Sequence, residues 1–317
     1  MIKRLGSLRI PALAGIFLVV TLFMSGCATP QIAALDAHWP PGLAPQVELT
    51  EVPFYPQDEH QCGPAALAMV AGAAGVAVSP DALVSQVYLP GREGSLSIEL
   101  LAASRRHTLL SYPLPPRVED LMREVAAGHP VLVLQNLAFS WYPLWHYAVV
   151  IGFDRERNLL LLRSGRTERM EMSLFTFERT WARSGYWAML ALAPGQLPAT
   201  AEPAVYVDAV AALERVNPAA AQQAYAAALP RWPQERGLLL GLGNSAYALG
   251  QRDAAIAAYR AALAQHVDFA DAWNNLAQAL LEGAAYQEAA QAISKAAALG
   301  GPRLPRYLEL QREIMAR

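Results

Sequence analysis

The sequence predicts two folded units in series, an α+β domain followed by an all-α solenoid of helical repeats. Three observations predict it. Between residues 51 and 195, helix-length apolar segments come first and short β-branched runs follow, the order of helices packed on an antiparallel sheet. From 202 to 317, small and aromatic residues recur in columns at a spacing of 34. Between the two, residues 197–203 hold two prolines and an Ala-Thr-Ala run, the composition of a boundary.

The chain has 317 residues, room for two domains, and its 54% hydrophobic content is ample for packed cores. A formal net charge of −2 with scattered arginines leaves no electrostatic footprint for DNA or RNA, so no nucleic-acid partner is expected. No cofactor or metal motif stands out either.

The first element is a leader. Lys3, Arg4 and Arg9 form a positive segment, residues 10–24 are apolar apart from Pro11, Gly15 and Thr21, and Met24-Ser25-Gly26-Cys27 closes it with small residues before a cysteine. This is a secretory signal peptide over 1–26, too short and wrongly flanked for a spanning helix. Its end resembles a bacterial lipobox, which implies lipidation of Cys27 and a membrane held through the acyl chains. With Ala28 rather than aspartate next, sorting by resemblance favours the outer membrane, facing the periplasm. If Cys27 carries lipid, Cys62, the other of two cysteines, has no disulfide partner. Residues 27–50, rich in Pro, Ala and Gln, are expected to be a tether.

In the domain at 51–195, helices are expected at 64–75, 81–88 (capped by Ser79-Pro80), 97–107 and 118–127. Strands are expected at 130–134, 146–153, 159–162 and 186–192. In the region 202–317, Ala221, Ala255 and Ala289 share one column, Tyr225, Tyr259 and Ile293 the next, and Ala228, Ala262 and Ala296 a third. Gly243 aligns with Ala277, and Trp273 takes an early aromatic position. The pattern resembles the tetratricopeptide repeat, with 304–315 as a capping helix, and implies a surface that docks a protein partner.

The stretch from Gln57 to Leu67, with Cys62-Gly63-Pro64 at its centre, is the most informative. A cysteine directly before a helix has its thiol near the positive end of the helix dipole, which favours thiolate. Gly63 permits tight entry and Pro64 suits the first turn. An upstream glutamine can offer its amide as an oxyanion donor. A thiol nucleophile also needs a histidine remote in sequence. Of six histidines, His146 opens a β-branched strand, the position from which an imidazole can face a helix start.

Gln57, Cys62-Gly63-Pro64-Ala65-Ala66-Leu67 and, about eighty residues on, His146-Tyr147-Ala148-Val149-Val150-Ile151-Gly152-Phe153-Asp154 resemble the bacteriocin-processing (double-glycine) peptidases, a family with the papain-like fold. The resemblance covers roughly 50–195. It implies Cys62 as nucleophile, His146 as general base and acid, and Gln57 as oxyanion donor. Two departures stand out. Gln57 is one residue closer to the cysteine than the family glutamine, with Gln61 as substitute. The orienting aspartate is missing from Leu162-Arg163-Ser164-Gly165, where Ser164 or Asn136 could serve. The aromatics Trp141, Tyr142 and Trp145, with Trp181 and Trp187, could wall a substrate groove, and Arg163 and Arg166 could meet acidic substrate groups. The expected activity is peptide-bond hydrolysis through a Cys62 thioester, on a protein or peptide substrate. The alternatives are an inactive, peptide-binding scaffold lipoprotein and an acyl- or amide-transfer enzyme using the same residues.

Overall fold

A computed structural model describes residues 29–56 and 61–317; Cys27 and Gln57 lie outside the described residues. In chain order, the first domain contains α1 (Pro30–Ala37), β1 (Gln46–Glu48), α2 (Cys62–Ala73), α3 (Pro80–Val87), β2 (Tyr88–Leu89), β3 (Gly94–Ser95), α4 (Ser97–Arg106), β4 (Leu110–Pro113), α5 (Val118–Ala126), β5 (Val131–Asn136), β6 (Trp145–Asp154), β7 (Leu159–Ser164), β8 (Thr167–Ser173), α6 (Leu174–Ala182) and β9 (Ala188–Leu192). The antiparallel main sheet runs β4-β9-β5-β6-β7-β8, with β1 added to β6, while β2 and β3 form a separate small hairpin.

Strand alternation divides the domain into two cores. Val131, Val133, Ala148, Val150, Leu160 and Leu162 face α1, α5 and α6. Leu132, Tyr147, Val149, Ile151 and Leu161 face the other way, onto α2 and its apolar run Ala65 to Ala71. Helix α2 is buried along nearly its whole length, which is why its sequence is apolar all round.

The expected tether is folded. Ile32 and Leu35 are buried in the first core, and Glu178 on α6 accepts the backbone N–H groups of Gln31 and Ile32 at 3.0 and 2.8 Å. Gln31 clamps the start of α5, donating to Pro116 O at 3.0 Å and accepting from Val118 N at 2.7 Å. Residues 46–48 pair with Asp154–Gly152 of β6. Two apolar side chains three residues apart bury this short helix, too little periodicity to register against the Pro-rich background.

The second unit is a tetratricopeptide-type array: α7 (Pro203–Glu214) with α8 (Pro218–Ala228), α9 (Arg236–Ala248) with α10 (Arg252–Gln265), α11 (Ala270–Glu282) with α12 (Tyr286–Leu299), and the capping helix α13 (Leu304–Met315). All nine residues of the three aligned columns are buried. Small residues let the helices close: a Cβ on Gly243 would lie 2.3 Å from the Tyr259 ring.

The two units share a core. Tyr206, Val210, Leu213 and Tyr225 join the cluster of Tyr112, Leu190 and Trp181. The connecting segment is pinned by Glu124, fully buried, which accepts from Ala199 N at 3.1 Å, Thr200 N at 2.7 Å and Thr200 Oγ1 at 2.6 Å, with His129 Nδ1 at 2.7 Å. These donors overcome desolvation and hold the Glu124 carboxyl below its usual range.

Candidate active site

Helix α2 begins at Cys62, with Gln61 at the cap position making no side-chain cap hydrogen bond. The uncapped first turn leaves backbone N–H groups of Cys62 and Gly63 directed at the thiol, and the Tyr147 N–H of β6 faces it as well. Tyr147 directly follows His146, so the thiol sits at the edge of β6, one residue along from the imidazole. Cys62 is half-buried and lies among the residues lining a cleft of about 1130 Å³ that also holds His146.

Gly63 is required by close approach. An added Cβ would sit 2.4 Å from Ser95 Oγ and 2.6 Å from Ser95 Cβ, so β3 packs directly on the first turn of α2. The Tyr147 hydroxyl donates to Ser95 O at 3.2 Å, tying the small hairpin to the main sheet, while Ser95 Oγ is buried with no hydrogen-bond partner among the described residues.

His146 pairs with Gln135 across β5 and β6, and alternation sets it on the face of Ala148 and Val150. Its Nε2 lies 2.9 Å from Ser164 Oγ at the end of β7. The other ring nitrogen makes no hydrogen bond to any described residue. Ser164, buried, thus takes the position opposite the imidazole that a carboxylate would fill. Asn136 does not. Its side chain accepts from Ala138 N at 3.1 Å and Leu144 N at 3.0 Å and donates to Phe139 O at 3.2 Å, so it is committed to the β5–β6 loop.

The electrostatics depart from the helix-dipole expectation. Burial pushes the Cys62 thiol up, and the backbone donors at Tyr147, Gly63 and Cys62 only partly oppose it. Burial also pushes the His146 imidazole down. Both shifts favour the uncharged pair, thiol with neutral imidazole, over an ion pair at neutral pH. Desolvation at this half-closed site outweighs the backbone N–H groups directed at the thiol.

Other expected site residues sort differently. Arg163 is a structural cation, buried and donating to Glu168 O, Thr50 O and Val52 O at 2.6, 3.1 and 3.0 Å, so it is not available to substrate. Arg166 does line the cleft. Trp145 lines it too, but Trp181 is fully buried in the first core, and Trp187 packs edge-on against Tyr147 at 5.7 Å. Gln61 is not among the cleft-lining residues, and neither is Asn136. Sequence reasoning missed Ser95 and the β2–β3 hairpin that roofs the cleft. The signal was weak: Gly94-Ser95 between Glu93 and Leu96 carries no strand pattern.

A second groove of about 580 Å³ lies within the repeats, lined by Asn244, Tyr247, Asp271, Asn275, Arg303 and others. Among the described residues no cluster of three metal-ligating side chains occurs.

A thiol at a helix start and an imidazole at a strand start, sharing one cleft over an antiparallel sheet, define a papain-type architecture. Residues 49–189 match the Peptidase_C39 like family, and residues 240–302 match a tetratricopeptide repeat family. The chain therefore carries a C39-like peptidase domain followed by tetratricopeptide repeats. Among solved structures, a chain assigned as a C39-like peptidase from Bacillus anthracis matches at 19% identity and a TM-score of 0.40, covering 46% of this chain and 97% of that one. No curated protein matches.

Proposed function

We propose that the protein is a membrane-anchored cysteine peptidase of the cell envelope, with Cys62 as nucleophile and His146 as general base and acid. The observation that carries this reading is the shared cleft: both side chains line it, and His146 is held from behind by Ser164 at 2.9 Å. With Nε2–H donated to Ser164 Oγ, Nδ1 is the free base. It takes the thiol proton as Sγ attacks the substrate carbonyl, and returns it to the departing amine as the thioester forms; water then releases the acid. The Cys62 backbone N–H, free of any helical acceptor and directed at the thiol, turns to the oxyanion as it forms, with Gln57 as the second donor. The repeats dock a protein partner in the groove around Asn244 and Asn275. Cys27, lipidated, anchors the chain in the outer membrane, facing the periplasm.

A second reading, a peptide-binding scaffold without turnover, is favoured by one observation: burial disfavours charge on both partners, and a hydroxyl stands where a carboxylate would hold the imidazole. One experiment separates the two. The mature protein is incubated with envelope proteins, beside Cys62→Ala, and new peptide termini are read by mass spectrometry. Termini present only with the unaltered protein establish the peptidase; identical termini in both samples leave the scaffold.

A further inference from the structure

The loop joining β5 to β6 is the most apolar exposed surface of the domain. Leu137-Ala138-Phe139-Ser140-Trp141-Tyr142-Pro143-Leu144-Trp145 contains no charge. Phe139 is 62% exposed, Trp141 81% and Tyr142 71%, with Leu137, Leu144 and Trp145 also exposed. Large apolar side chains left in water together mark an interaction surface. The loop is nevertheless built rigidly. Leu137 N donates to Leu144 O at 2.9 Å, the Asn136 side chain ties both limbs, and Phe139 stacks on Trp141 with centroids 5.4 Å apart. A preformed apolar wedge loses little entropy on insertion.

Its position in the fold names the occupant. Arg183, at the end of α6, donates twice to Asn136 O at the base of the loop, at 3.1 and 3.0 Å. Five residues earlier, roughly 7.5 Å of helical rise, Glu178 holds the backbone of Gln31 and Ile32. Gln31 is also bound to the start of α5, which runs antiparallel to β5 and so begins at the loop end of the sheet. The chain therefore enters the domain at the end where the aromatic loop projects. Cys27 precedes Thr29 by two residues, a reach of at most about 7 Å.

We infer that the 137–145 loop inserts into the bilayer surface, seating the domain with its cleft at the membrane. Trp, Tyr and Phe without charge suit the boundary between headgroups and acyl chains, where an amphipathic ring has an apolar body and a polar edge to satisfy. Leu137, Pro143, Leu144 and Trp145 belong to both loop and cleft rim, so insertion brings the site to the lipid surface. Substrates are then polypeptides at or emerging from a membrane rather than freely diffusing ones. The choice of lipid over protein as occupant rests on the proposed Cys27 anchor.

The test uses the purified mature protein in phosphatidylethanolamine–phosphatidylglycerol vesicles with brominated acyl chains, which quench tryptophan on contact. The unaltered protein is expected to lose part of its emission, Trp141→Phe to lose a large share of that quenching and Trp141→Phe with Trp145→Phe to lose most of it, and Trp273→Phe, in the distal repeats, to keep it. Phe139→Ser with Trp141→Ser should weaken binding of added protein to vesicles by about tenfold or more. Absence of quenching, or quenching unchanged in Trp141→Phe, overturns the inference; a loop reserved for a protein partner gives that result. Intact mass on the same preparation reads Cys27 separately. An unmodified Cys27 refutes the anchor, and quenching then decides the loop by itself.

Discussion

The two faces of the sheet are covered very differently. One face carries α1, α5, α6 and the first repeat in a single continuous core, braced by the buried carboxylates Glu124 and Glu178. The other carries α2, α3 and α4, with a small hairpin of two two-residue strands (β2 and β3) beside the cleft. His146 belongs by alternation to the braced face and Cys62 to the helix on the lighter one. The cleft lies where the sheet ends and the two meet. One partner of the site is therefore fixed by the whole molecule, and the other by the first turn of one helix and what packs on it. Changes on the braced face should act through stability, and changes at the α2 turn through turnover.

The largest effect tests the site itself. Cys62→Ala or His146→Ala should lower kcat/KM by about 10⁴ or more, with a far smaller effect on thermal unfolding, since both side chains line the cleft and Cys62 only borders the second core. A comparable loss of stability in either variant would place that residue in the core instead. Next is the brace. Glu124→Ala leaves buried donors at Ala199, Thr200 and His129 unpaired and should lower stability by about 3–5 kcal/mol, splitting one calorimetric transition into separate meltings of sheet domain and repeats. The Glu124 carboxyl is lowered in the folded state. Its contribution is therefore full above the unfolded value near pH 4.5 and is lost as pH falls through the folded one. A junction insensitive to acid in that range would show that the shared core alone couples the units.

The α2 turn gives a smaller and sharper contrast. Gly63→Ala drives a methyl into Ser95 and should destabilise by about 1–3 kcal/mol while lowering turnover disproportionately; Ser95→Gly in the same chain should recover most of both. Failure of that recovery would mean the contact is not what sets the turn. The mildest change is behind the imidazole. Ser164→Ala should reduce kcat by about tenfold with KM little altered, and Ser164→Asp should restore or raise it. Because burial lowers His146 and raises Cys62, the acid limb of kcat/KM should fall below the usual histidine value of about 6.5. The profile should then stay flat between about pH 7 and 9. A fall across that interval would reveal a preformed ion pair that loses its imidazolium proton.

Much of this is legible in the amino-acid sequence, and the exceptions share a cause. Cys62, Gly63 and His146 announced themselves because a special residue type sits at an element boundary, and Ser164 followed by counting along the next strand. The repeat columns were visible because three copies display one pattern. What the sequence hid was tertiary burial of ordinary residues. Ile32 and Leu35 turn a Pro- and Ala-rich segment into a docked helix, and β4 and β8 are edge strands whose alternation is broken by Pro113 or runs through charged Glu168 and Glu171. Arg163 reads as a surface cation until three backbone carbonyls are found around it. A helix start favours an acidic thiol; burial, which no local pattern encodes, pushes the Cys62 thiol up.

The account depends on the Cys62 sulfur and the His146 imidazole meeting across the end of the sheet. A bis-electrophile with a three-carbon reach, 1,3-dibromoacetone, tests this directly: its first arm alkylates the thiol and its second can close only on a nucleophile within a few ångströms. Peptide mapping should find a Cys62–His146 cross-link at one equivalent of reagent, absent in His146→Ala. Cys62 alkylated alone, or bridged to a different residue while His146 stays unmodified, would contradict the account.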